Sequence, residues 1–398
     1  MKSTLVAACA AFVAMVLAAG CAAPPAAMPS GNELPFEQAA AEVTDSLVAQ
    51  TQKLPAFLTK VESKLLKRGV VIDPMLDAGS GQQTALTQLL EKRVAERIAT
   101  KYEQFEIQPF RSAGLAKAQV LLTGTTTRVQ TDRPRGAFRI NLALTDLKTG
   151  QQLAQASAVA SDNGLDTSPT PYYRDSPVLV KDKVTEGYLR TAASPAGQRA
   201  DPAYFDRIAT ATLIDEATTL YNTERYQDSL SQYKQALSTP HGEQLRVLNG
   251  LYLTNVKLGR TGDAEQAFGK VVALGIAYNE LGVKFLFNPG GTDFWSDTKV
   301  SGAYGMWLRQ IARESTAAKV CMNIVGHTSR TGSEPVNDAL SLQRAAYIKQ
   351  RLAGEAAELG GRTKAVGMGF RQNIVGSGSD NVVDALDRRV EFKIIPCT

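Results

Sequence analysis

"IVGHTSRTGSEPVNDALSLQR", Ile324 to Arg344, is the stretch that decides the fold of the last part of this chain. It opens as an apolar strand, turns at Gly326-His327-Thr328, crosses a loop holding Gly332, and enters an Asn337-led helix that carries Leu340 and Arg344. The flanks extend the pattern. "VKFLFNPGGTDF" reads as a strand and turn, "AYGMWLRQIAREST" as a helix, "KVCMNIVGH" as a strand, "LSLQRAAYIKQRLAG" as a helix, and "KAVGMGF" and "RRVEFKII" as two strands. Residues 280–398 therefore read as a βαβαββ unit.

With Gly-His-Thr, an Asn followed by Leu-Ser, Arg-Ala, and Arg-Arg-Val-Glu-Phe in order and at the right spacing, this unit resembles the OmpA-like peptidoglycan-binding domain found also in Pal and MotB. The resemblance implies a sheet whose last strand lies antiparallel between the first and second. It also implies a loop and helix that take the diaminopimelate of the peptidoglycan stem peptide. Arg344 matches the arginine that takes the ligand's carboxylate, and Asn337 and Leu340 match the helix start. His327 and Thr328 match the loop root, and Arg388 and Arg389 the terminal pair. Ser329 stands where the family carries an aspartate, so the partner of the ligand's ammonium is altered: a serine accepts a hydrogen bond but brings no charge. Asp384 and Asp387 are carboxylates that would return negative charge to the pocket if another strand brings them there, a placement the sequence does not give. Plainer roles stand beside these. His327 packs inside the domain, Arg344 pairs with a helix carboxylate such as Asp338, and Asn337 caps its helix.

The other end of the chain addresses it to an envelope. "MKSTLVAACAAFVAMVLAAGC" has one lysine, an apolar run too short and Ala-rich for a membrane span, then small residues and Cys21. Leu17-Ala18-Ala19-Gly20-Cys21 resembles a bacterial lipobox, departing from it at Ala18. That implies a signal peptide over 1–20, diacylglycerol on Cys21, and, with Ala22 next, sorting to the outer membrane, facing the periplasm. A plain cleaved signal is the alternative. The Ala/Pro-rich 21–35 suits a tether. With Cys9 in the signal and Cys21 lipidated, Cys321 and Cys397 remain, a pair that an oxidising compartment favours as a disulfide over two free thiols. The strand order implied by the resemblance sets these two side by side.

Between these ends the chain reads as multidomain α+β. An α/β mixed-sheet domain covers 36–165, with a helix from Phe36 to Arg68 stopped by Gly69, a buried strand "VVIDPML", and a helix after "GSGQ". Three neighbouring strands follow, with turns at Arg133-Pro134-Arg135-Gly136 and Lys148-Thr149-Gly150. The order of parts, with "LTDLKTGQQLAQ", resembles the small domain of the LpoB, FlgO and CsgG lipoproteins, which implies binding to other envelope proteins. No Gly-Lys-Ser/Thr follows "GSGQ", which argues against a nucleotide loop. Pro, Ser and Asp crowd 166–202, read as a loop or linker. Over 203–279 two helical segments align at an offset of 35, Ala217, Leu220, Tyr226, Ser229, Tyr233 and Ala236 matching Tyr252, Asn255, Thr261, Ala264, Phe268 and Val271. This resembles tetratricopeptide repeats, with a spacer and a peptide groove as alternative roles.

A net charge of +5 without any Lys/Arg block argues against nucleic acid. Two histidines, His241 and His327, with no Cys/His cluster argue against a metal, a cofactor or a His-based catalytic triad. The expectation is a non-enzymatic outer-membrane lipoprotein whose partners are peptidoglycan, the membrane through its lipid, and envelope proteins. The alternative is an assembly factor of a secretion, flagellar or wall-synthesis complex whose last domain no longer binds peptidoglycan.

Overall fold

Helix α1 (Phe36–Thr51) lays Ala39, Val43 and Leu47 on a mixed sheet that begins with β1 (Arg68–Ile72) and β2 (Leu76–Asp77). A computed structural model describes the chain over residues 33–52, 67–129, 136–288, 290–376, 378 and 383–397. The signal peptide, Cys21, most of the tether, the Arg133-Pro134-Arg135 turn and residues 53–66 of the helix read from Phe36 to Arg68 lie outside the described residues. Arg68 and Gly69 are strand rather than helix end. A Cβ on Gly69 would meet the Lys117 carbonyl at 2.7 Å, so glycine serves a close backbone approach and not a helix stop.

Helix α2 (Ala85–Lys101) starts at Thr84, whose side chain accepts from Thr87 N while the Thr87 hydroxyl accepts from Thr84 N, satisfying two amides the first turn leaves open. Then come β3 (Phe105–Gln108), β4 (Val120–Val129), β5 (Ala137–Asp146) and β6 (Gln152–Ser161). The sheet order is β3-β1-β4-β5-β6, with β1 parallel to both neighbours, β4 to β6 antiparallel and β2 on β4. Period-two alternation sends Val70, Ile72, Val120 and Leu122 toward α1 and α2. Val71 and Leu121 face the other way, into a second apolar cluster.

The stretch read as a linker fills that second face. It contains α3 (Pro171–Asp175) and α4 (Lys183–Ala193), capped by the Asp182 carboxylate on Thr185 N at 2.9 Å. Tyr188 and Ala192 of α4 pack beneath Val71 and Leu121, and the Tyr188 hydroxyl bonds Gly124 N and O at 3.0 and 2.9 Å. Proline and serine at its ends concealed the amphipathic α4 from composition.

Two helical hairpins follow, α5 (Ile208–Asn222) with α6 (Tyr226–Leu237) and α7 (Leu245–Lys257) with α8 (Thr261–Tyr278). Ser229 lets α6 approach α5 and donates to Ala217 O at 2.8 Å. Gly250 leaves room for the Tyr233 ring, which a Cβ there would meet at 2.3 Å.

The last unit comprises β7 (Leu281–Val283), α9 (Tyr304–Ala317), β8 (Cys321–Gly326), α10 (Glu334–Glu355), β9 (Thr363–Gly367) and β10 (Val390–Ile395). Its sheet runs β7-β10-β8-β9, with β10 antiparallel to β7 and β8 and β9 parallel to β8. Ile395 pairs with Cys321 across β10 and β8, and Cys321 and Cys397 form a disulfide, as the sequence favoured. β7 lies earlier and is shorter than the "VKFLFN" expected, because Phe285 and Phe287 leave the ladder to enter the core and Phe287 bridges to Phe294. Trp307 of α9 stacks on Phe268 of α8 at 5.6 Å and donates to the Tyr252 hydroxyl at 2.8 Å. One apolar core thus runs from Tyr172 through the hairpins to Phe392, and the described residues from Glu33 onward belong to one compact unit. No described helix is long and apolar enough to cross a membrane.

Candidate functional site

The loop from His327 to Ser333 is rooted where β8 ends. Pairing of Gly326 with Val390 in β10 carries on as His327 N donating to Arg389 O at 3.0 Å, and Thr328 N donates to Gly369 O at 3.0 Å. Two backbone bonds thus fix the loop's base before any side chain acts.

At this base His327 is buried with its Nε2 3.7 Å from Glu391, which Arg389 pairs at 2.6 Å and Lys393 at 2.6 Å. Burial lowers the His327 pKa against the pull of Glu391, so the imidazole is neutral near pH 7. Burial works to raise the Glu391 carboxyl, but His327, Arg389 and Lys393 together hold it well below the usual carboxylate range. Arg389 also donates to Gln372 O at 3.1 Å and Leu386 O at 3.4 Å. His327 and Arg389 therefore brace the sheet end and its loops. Arg388 is half-buried beside them.

Farther out, Ser329 is 4% exposed, its hydroxyl 3.4 Å from that of Thr331. Thr328 is buried and Leu340 half-buried. Helix α10 begins at Glu334 after Ser333, with Pro335 in its first turn, so Asn337 does not lead it. Instead the Asn337 side chain donates back to Thr331 O at 2.7 Å and Ser333 O at 3.1 Å, clamping the loop onto the helix.

Arg344, nearly three turns along α10, is 5% exposed. Its Nε donates to Gly291 O at 3.1 Å, its Nη2 to Asn288 O at 3.3 Å, and its guanidinium lies 4.9 Å from the Phe287 ring centre. The helix carboxylate offered as its partner, Asp338, is held elsewhere: Arg371 pairs with Asp338 at 2.7 Å and with Glu334 at 3.0 Å. Sequence reasoning read the turn in "VKFLFNPGGTDF" but gave neither it nor Phe287 a part in the site, although "NPGG" signals a backbone open to a close neighbour.

Asp387 does not return charge to the loop. Its carboxylate accepts from Ile374 N at 2.6 Å, Gly376 N at 2.8 Å, Asn373 Nδ2 at 2.9 Å and Val375 N at 3.0 Å, shaping the loop before the final strand. Asp384 is buried as well. The carboxylates nearest the start of α10 are instead Glu334 and Asp338, in the Arg371 ion pairs.

No family model and no curated protein matches this chain. Among solved structures it is similar to the crystal structure of the peptidoglycan-associated lipoprotein from Burkholderia pseudomallei. The two are 23% identical over 29% of this chain and 89% of that chain, with a TM-score of 0.23. Among the described residues, no group of three or more His, Cys, Asp or Glu side chains is placed to hold a metal.

Proposed function

We propose that this chain is a non-enzymatic envelope lipoprotein that binds peptidoglycan through residues 280–398 and holds protein partners through its N-terminal sheet and helical hairpins. The observation that carries the reading is the setting of Arg344. Its guanidinium is withdrawn from bulk water, lies against an aromatic ring, and donates to two neutral backbone carbonyls of a Gly-rich turn. An incoming carboxylate is a stronger acceptor than either carbonyl, and hydrogen bonds between charged groups are about twice as strong as neutral ones. Gly290, at φ +67°, takes the left-handed conformation that glycine adopts without penalty in this turn. Recovery of the purified chain with peptidoglycan sacculi, compared with Arg344→Ala, tests the reading; equal recovery of the two in the soluble fraction sinks it.

One observation favours a second reading, an assembly factor whose last domain recognises a protein instead. Ser329 is buried and brings no charge to meet an ammonium, and Glu334 and Asp338 are already engaged by Arg371. Under that reading the parent chain fails to sediment with sacculi and Ser329→Asp restores binding.

A further inference from the structure

A cavity of about 480 Å3 opens between the N-terminal sheet and the loops of the last unit. That volume lies within the range of small-ligand sites, about 300–1,000 Å3. One wall is the turn after β2 with Gln82 and, beside it, Thr126 and Thr127 of β4; the other is Arg330, Arg371 and Asn373. The walls touch beside it, since a Cβ on Gly79 would meet the Ile374 carbonyl at 2.8 Å. The turn itself is firm. Asp77 N donates to Gln82 O at 2.8 Å, Gly81 N to Asp77 O at 2.7 Å, and Lys181 Nζ holds the carbonyls of Ala78 and Gly79 at 3.1 and 3.0 Å. On the opposite side Asp387 fixes residues 373–376. Both walls are therefore preorganised.

Two features of the lining are not explained by folding. Gln82 is 2% exposed, yet its Nε2 has no hydrogen-bond partner among the described residues. A buried amide donor left unsatisfied costs about 1–3 kcal/mol, so it marks a place where an acceptor belongs. Arg330 follows Ser329 in the candidate loop, is exposed, and has no ion-pair partner among the described residues. Asp77 also lines the cavity, but its Oδ1 accepts from Ser80 N and Oγ at 2.8 and 2.7 Å within its own turn. The lining thus offers an amide donor, threonine hydroxyls and guanidinium groups.

We propose that this cavity is a second binding site, built jointly by the N-terminal sheet and the C-terminal loops, for a hydroxyl- and amide-rich ligand bearing a carboxylate. On the wall-binding reading, on which this inference rests, that ligand is a peptidoglycan fragment long enough to pass from Arg344 along Arg330 to Gln82. The N-terminal domain then shares in wall recognition, and the relative placement of the two domains becomes a condition of tight binding.

The test is calorimetric titration of the full chain in detergent with soluble fragments from muramidase-digested peptidoglycan, for the parent, Gln82→Leu, Arg330→Ala and Arg344→Ala. Gln82→Leu removes the donor at nearly constant shape, and a merely structural Gln82 would lose nothing by it. The expected result is at least a tenfold rise in Kd for Gln82→Leu and for Arg330→Ala with unchanged melting curves. Parent-like affinity of Gln82→Leu overturns the inference whatever Arg330→Ala does, and a loss confined to Arg344→Ala overturns it while leaving the wall-binding reading intact. If the parent binds no fragment, both fall.

Discussion

The guanidinium of Arg344 lies 4.9 Å from the centre of the Phe287 ring and joins α10 to the loop that follows β7. Such a cation-aromatic contact, partly desolvated, contributes on the order of 1 kcal/mol, and the fork of donors beside it is what a carboxylate requires. Arg344→Ala should cut sacculus recovery at least tenfold, and Arg344→Lys should do nearly as badly, because an ammonium presents no planar fork. Sedimentation with purified sacculi measures both, and full recovery of the lysine variant would show that charge alone suffices.

Ser329 admits a sharper comparison. It is buried next to Thr331, where a carboxylate would have to be desolvated unless a cation met it. If the parent already binds sacculi, Ser329→Asp should raise recovery only a few-fold and lower the melting temperature in the absence of ligand. A rise from no recovery to full recovery would favour the assembly-factor reading.

Local signals carried much of this architecture. The turn signals between them placed β4, β5 and β6 as neighbours, and the 35-residue offset found two helical hairpins. Segments whose structure depends on partners far along the chain were not legible. Residues 166–202 read as linker because composition cannot show that Tyr188 and Ala192 roof the sheet at Val71 and Leu121. Leu281 and Gly282 went unread as strand because they gain meaning only from β10. At the site, the family resemblance marked Arg344 and Asn337, but not the acceptors of Arg344: Asn288 and Gly291 act through backbone carbonyls, which no side-chain pattern reveals.

The Cys321–Cys397 bond ties the end of the chain to the start of β8 across 76 positions. By the loop-entropy relation a closure of that length is worth about 4.5 kcal/mol. Reduction, or Cys397→Ser, should therefore lower the urea midpoint of the last unit while the fluorescence of Trp307, buried against α8, reports its opening. Identical midpoints with and without reductant would show that the bond adds no stability.

Gly250 tests the contact between the hairpins. An added Cβ would fall 2.3–2.5 Å from three atoms of the fully buried Tyr233 ring, whose hydroxyl is fixed by Thr218 at 2.9 Å. Overpacking of this kind costs about 1–3 kcal/mol. Gly250→Ala should lower stability by that amount, and Gly250→Ala with Tyr233→Leu should recover part of it. A parent-like melt for Gly250→Ala would mean that α6 and α7 separate freely.

Stability should also fall as pH rises from mildly acidic to mildly basic, because of three carboxyls at the joint between the N-terminal sheet and the first hairpin. Burial pushes Asp73, which accepts from the Tyr204 hydroxyl, up to about 6. Burial pushes Glu91 up to about 7, helped by Asp73, and Asp215 up to about 8, helped by Glu91 and Asp73. Arg246 and, for Asp215, Arg111 oppose the rise without cancelling it. Acids with raised folded pKa values bind more protons folded than unfolded between about pH 4, the unfolded value, and the folded one. Their contribution is fully present below that interval and is lost as pH climbs through about 6 to 8. Melting temperature should therefore drop between pH 5.5 and pH 8.5, and Asp215→Asn, which never ionises, should flatten the upper part of the fall. A melting temperature that holds or rises over that range would show that these carboxyls ionise without loss in the folded chain.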